Sequence, residues 1–169
     1  LDRGDAVIRE RLAQKMTFLI ESEMDALKPT DAELSAHMAA HRERFARPAL
    51  VSFEQMPLKP GTPEEAILAA VRAGTFAEEL AAKSLLPGRL QPSPRQVVDA
   101  TFGAGFFDAV AAHGPGPRPV AVKSAHGTHL VRVLSFEPAR LPALDEIRDE
   151  VNRDWRASRR AGLVEDRLD

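Results

Sequence analysis

Cysteine is absent from this 169-residue chain, which removes disulfide frameworks, thiolate zinc sites and a cysteine nucleophile in one step. Long apolar runs are missing as well. Nothing approaches the roughly 20 residues of a membrane-spanning helix, and the opening "LDRGD" has no signal-like apolar core. That opening reads as a cut within a longer protein, so an upstream signal or membrane anchor is an expectation. Neither charge dominates: 23 Lys and Arg stand against 25 Asp and Glu, a formal net charge of -2. Without a broad positive field, no nucleic-acid partner is expected.

What is present is the pattern of a globular protein with enough apolar residues, 44%, for one good core plus an appendage, or two small units. Over residues 5–28, Ile8, Leu12, Met16, Leu19, Ile20, Met24 and Leu27 recur at steps of three and four, which predicts a long amphipathic helix. "KPTDAEL" ends it and starts another, with Thr30 as cap and Glu33 at the capping-box position. The second helix carries Leu34, Met38 and Phe45 and stops near "ARPAL". "LVSFEQM" alternates, with Val51, Phe53 and Gln55 opposite Ser52, Glu54 and Met56, and reads as a strand.

"KPGTPEEAILAAVRAG" predicts a helix capped by Thr62, with Pro63 first inside and Gly74 as its stop. A short helical piece, "TFAEELAAKS", follows. "LLPGRLQPSP", with three prolines and a glycine, reads as loop. Ser93, Pro94 and Gln96 signal a further helix carrying Val97, Val98 and Phe102, and "GAGFFDAVAAH" another with Phe106 and Phe107. "VAVK" and "GTHLVRVLSF" read as strands. After Pro142 a last helix aligns Leu144, Ile147, Val151 and Trp155, with charged residues on its outer face.

The "GTHLVRV" strand is unusual in one respect: His129 shares its side with Val131 and Val133, while Leu130, Arg132 and Leu134 take the other. A strand-end histidine has a plain structural reading as a hydrogen-bonded side chain. His37 and His41 lie one helical turn apart, a spacing that can bind metal, but no third ligand of equal quality accompanies them and packing is the better account. "RDEVNRDWRASRR" reads as a solvated helix face.

The strand, helices and closing Gly127-Thr128-His129 strand together resemble a parvulin-type peptidyl-prolyl cis-trans isomerase domain of the PpiC, or rotamase, kind. The flanks "PTDAEL", "RFARPALVSFEQM" and "ARLPALDEIRDEVNRDW" are similar to the entry and exit of that domain in exported foldases of the PrsA and SurA kind. The resemblance implies an α+β fold with a small antiparallel sheet over residues 48–138. It also implies a chaperone-like N-terminal helical segment over 1–47 and a C-terminal helix over 139–169 that packs with it. Such a domain acts on proline-containing segments of unfolded or partly folded exported polypeptides, without a cofactor or metal, in a periplasmic or other extracytoplasmic location.

In that family two histidines and an acidic or thiol residue surround the proline bond, above an apolar shelf. The resemblance gives His129 the catalytic role and makes Phe102 and Phe106 the shelf, with Phe53 standing where the first-strand histidine belongs. "LPGRLQPSPRQ" replaces the usual Gly-Asp-Leu-Gly segment, and no residue matches the acid or thiol. The alternative is therefore a holdase or interaction module that keeps the fold without the chemistry. Rotation about the X-Pro bond faces roughly 18–20 kcal/mol and needs only a site that favours the twisted amide.

Overall fold

The computed structural model describes residues 2–165. Its chain separates into two compact units, one from Leu1–Ala46 with Leu141–Asp169 and one from Arg47–Arg140.

The helical unit contains α1 (Asp2–Ala26), α2 (Asp31–Ala40), α3 (Arg42–Phe45) and α7 (Leu144–Glu165). Thr30 caps α2 as its sequence requires: its hydroxyl accepts from the Glu33 N–H, and the Glu33 carboxylate accepts from the Thr30 N–H. Leu34, Phe45, Ile147, Val151 and Trp155 form the core of this unit. The α1 stripe is only partly used. Ile20 and Met24 are buried, whereas Ile8, Leu12 and Leu19 are each more than half exposed. The covered end is tied down by Arg156 of α7, whose guanidinium donates to the carbonyls of Met24 in the last turn and Leu27 just after it.

The other unit is built on a fully antiparallel sheet of β1 (Leu50–Pro57), β2 (Arg89–Pro94), β3 (Val120–Ser124) and β4 (Gly127–Glu137) in the order β2-β1-β4-β3. Helices α5 (Arg95–Phe102) and α6 (Phe106–His113) bury Val98, Phe102, Phe106, Phe107 and Val110 against Val51, Phe53, Val122, Val131 and Val133 of the sheet. On the opposite face α4 (Glu64–Ala73) packs Ala70 with Leu58 and Leu130. The β4 alternation thus sends its valines to one core and Leu130 to the other.

Several local expectations change. Residues 89–94 of the proline-rich stretch are strand β2, not loop, because it occupies a sheet edge where Pro92 and Pro94 can lack an N–H donor. "TFAEELAAKS" forms only a 3₁₀ turn at Glu78–Leu80. Pro63, rather than Thr62, is the N-cap of α4, since the Thr62 hydroxyl instead donates to the Lys59 carbonyl. Gly74 does stop α4, in the left-handed conformation.

Candidate functional site

The chemistry-bearing side chains of the sheet unit gather where the β3–β4 hairpin turn meets the start of α6. The turn is Ala125-His126, between paired Ser124 and Gly127. The Ala125 N–H donates to the Phe102 carbonyl at the end of α5. A Cβ on Gly103, whose φ is +108°, would stand 2.7 Å from the Ala125 Cβ, so glycine is what lets helix and hairpin approach this closely. One turn back, the Asp99 carboxylate accepts from the Phe107 N–H and fixes the start of α6.

His129 is completely buried, and both ring nitrogens are engaged. Its partners define its proton. The Gln55 amide nitrogen donates to the Pro87 carbonyl at 2.8 Å, so the Gln55 oxygen is the atom facing His129 Nδ1 at 2.7 Å and must accept. Nδ1 therefore carries the hydrogen, and Nε2 accepts from the Ser124 hydroxyl at 2.6 Å. Ser124 Oγ in turn accepts from the His126 N–H, and the His126 ring donates from Nε2 to the Thr101 carbonyl at 3.1 Å. Burial, then the neighbouring His126, pushes the His129 pKa below its ordinary 6.5. The result is a neutral imidazole in a fixed tautomer.

Phe102 and Phe106 stack at 4.7 Å and each presents its ring to His129 at 5.9 and 5.8 Å. Phe53 meets both at 5.4 and 5.8 Å. The three rings and His129 thus come together, but as a closed core: all four are at most 1% exposed. Phe106, expected as part of the shelf, is buried in the sheet core, as is its neighbour Phe107.

The side chain that reaches His129 across the β1–β4 pair is Gln55, not Phe53. A bulge between Ser52 and Phe53 shifts the pairing, so Phe53 stands opposite Val133 while Gln55 lies opposite Val131, nearer the histidine. Gln55 had a visible signal in the sequence: it is the single polar residue on the apolar side of its strand. Its backbone N–H also donates to the Gly88 carbonyl, so one residue clamps the 85–88 loop twice.

Open space lies in front of this network. A cleft of 540 Å³ is lined by Pro57, Leu58, Pro60, Ala82, Leu86 and His126, among others, with the fully exposed Leu85 at its side. A second, of 360 Å³, is lined by Lys59, Gly61, Thr62, Ile67, Gly127 and Thr128, and shares Leu58, Pro60 and His126 with the first. His126 is thus the member of the network that reaches both. Among the described residues no cluster of three or more histidine, cysteine or acidic side chains could hold a metal. His37 and His41 do lie with ring centroids 4.7 Å apart in the helical unit, tilted to one another, but His37 is committed to Asp154 at 2.7 Å.

Comparison with known proteins adds a framework. The family model described as the PPIC-type PPIASE domain matches residues 29–149. Among solved structures, the chain is similar to one from work describing the virulence factor PEB4 and the periplasmic protein Cj1289 as SurA-like chaperones of Campylobacter jejuni. That match has a TM-score of 0.58 at 15% identity and covers 96% of this chain and 69% of that one. PrsA from Bacillus anthracis matches at 17% identity and a TM-score of 0.40, over 78% of this chain and 57% of its own. PrsA from Bacillus subtilis matches at 14% and 0.36, over 95% and 62%. No curated protein matches the chain by sequence.

Proposed function

The chain belongs to the PPIC-type PPIASE domain family, a foldase class acting on polypeptides, and from that premise we propose that it isomerises X-Pro bonds in partly folded exported proteins at the His126 clefts. The observation that carries this reading is the hydrogen-bonded line from Pro87 through Gln55, His129 and Ser124 to His126. It holds the wall shared by the two clefts in one position.

In this reading a proline ring enters the cleft beside Leu58, Pro60 and Leu86, with Leu85 exposed at its side. Removing water from the imide and confining the ring favours the twisted amide over both planar forms. His126 faces the substrate. His129, Phe53, Phe102 and Phe106 act from beneath as positioning residues, which revises the direct catalytic and binding roles their sequence positions suggest. No proton transfer is needed, so a neutral His129 is compatible with the task.

An extracytoplasmic location and tethering through an upstream segment are part of the same proposal. The likeness to chaperones that include a periplasmic protein supports the location. A non-catalytic holdase is the second reading. It is favoured by one observation: the group beside His129 is the non-titrating amide of Gln55.

Exchange spectroscopy on a short X-Pro peptide separates the two. The isomerase reading expects faster cis-trans exchange with the wild type, a loss with His126→Ala, and a smaller loss with Gln55→Leu. Unchanged exchange, together with suppressed aggregation of an unfolded client, would establish the holdase instead.

A further inference from the structure

Between Arg153 and Arg160, α7 carries Arg153, Arg156, Arg159 and Arg160 against one acid, Asp154. Asp154 is already taken, accepting from both His37 and Arg44. Arg159 is turned to the Trp155 ring, 5.3 Å from its centroid. The other three arginines share a face, as steps of three and four require, and together with Ala157 and Met24 of α1 they line a cleft of 340 Å³.

The three do not have the same task. Arg156 is anchored by Asn152 and by the Met24 and Leu27 carbonyls, at 3.2, 2.7 and 2.9 Å. Arg160 has Glu21 as its nearest acid, at 3.8 Å, beyond hydrogen-bonding reach, and both side chains are about half exposed. Arg153 is exposed, and no described carboxylate lies within ion-pair distance of it. The floor is a thioether and a methyl group. An apolar base beneath two available guanidinium forks is matched by one chemistry, an aliphatic side chain adjoining a carboxylate.

We propose that this cleft binds an acidic, apolar-anchored segment of polypeptide, its aliphatic side chain on Met24 and Ala157 and its Asp or Glu carboxylate between Arg153 and Arg160. A long polyanion fits less well: the first half of α7 is acidic, with Asp145, Glu146, Asp149 and Glu150, and would repel a strand of phosphates. The site lies wholly in the helical unit and does not rest on the isomerase reading. It gives the protein a preference among clients that is independent of proline.

The test uses the full chain and a fluorescently labelled short peptide with alternating Leu and Glu, read by anisotropy. A control peptide has Lys in place of Glu. The acidic peptide should bind, weaken about tenfold in Arg153→Glu/Arg160→Glu, and weaken between about 0.05 and about 0.5 M salt as screening increases. The Arg153→Gln/Arg160→Gln pair should fall between, and circular dichroism should match the wild type, because Arg156 and its ties to α1 are untouched. X-Pro exchange should be unchanged in both variants. Equal binding of acidic and basic peptides, wild-type affinity in the variants, or binding to phosphatidylglycerol vesicles without binding to the peptide would each overturn the assignment.

Discussion

The two units solve the same problem, burying apolar side chains around a histidine, to different degrees. In the sheet unit the aromatic core closes fully over His129, and each ring nitrogen has a neutral partner. In the helical unit His37 keeps a charged partner, Asp154, whose carboxyl is held below its usual range by the hydrogen bond from His37 and then from Arg44. There, Ile8, Leu12, Phe18 and Leu19 of α1 remain largely in water. A sheet bonded on both sides constrains its faces, and helices laid across it complete the enclosure. A long helix held by its last turns has no such neighbour.

Removing a ring from the closed core should expose the contrast most strongly. Phe106→Ala is expected to destabilise the sheet unit by about 3–5 kcal/mol, read by urea unfolding, because the cavity it leaves among Phe53, Phe102 and His129 cannot collapse. Leu12→Ala on α1 should stay within about 0.5 kcal/mol of the wild type. Similar losses from the two would erase the distinction.

A smaller effect is expected from Gln55→Leu, which keeps the volume but strands the buried His129 N–H, at about 1–3 kcal/mol; Pro87 is exposed, so its carbonyl can turn to water. Thr30→Ala in the helical unit removes one cap and should cost about 1 kcal/mol, visible as faster amide exchange in the first turn of α2.

Acid provides the mildest comparison. The His129 pKa is lowered in the folded state, so its contribution is complete above 6.5 and is lost as pH falls from there toward the lower folded value. Asp31, Glu33 and Asp154 have lowered pKa values and retain their contributions until pH falls below their ordinary 3.8, 4.5 and 3.8. Hydrogen exchange should therefore show β4 weakening first, below pH 6.5, with α2 and α7 following only in stronger acid. Simultaneous loss would mean that His129 is not held neutral.

The elements legible in the sequence were those whose signals are local. The Thr30–Glu33 capping box, the Gly74 stop, the β4 alternation and the α7 stripe each depend on residues within one or two turns or along one strand. Gly127-Thr128-His129, with the element order and the flanking segments, suggests the family. The network is only half legible: sequence singles out His129 but gives Gln55 no role beyond its strand, and it puts Phe53 where the first-strand histidine belongs.

Sequence by itself determined which segments could be helix or strand and which faces were apolar, because those follow from spacing and backbone preference along a single chain. Tertiary structure alone decided the rest. Edge pairing with β1 made a strand of a proline-rich segment. The β1–β4 register put Gln55, two residues nearer than Phe53, beside His129, and the close approach at Gly103 fixed the hairpin turn that carries His126. Register, edge position and contact distance depend on which distant backbone lies alongside, and no local pattern carries that information.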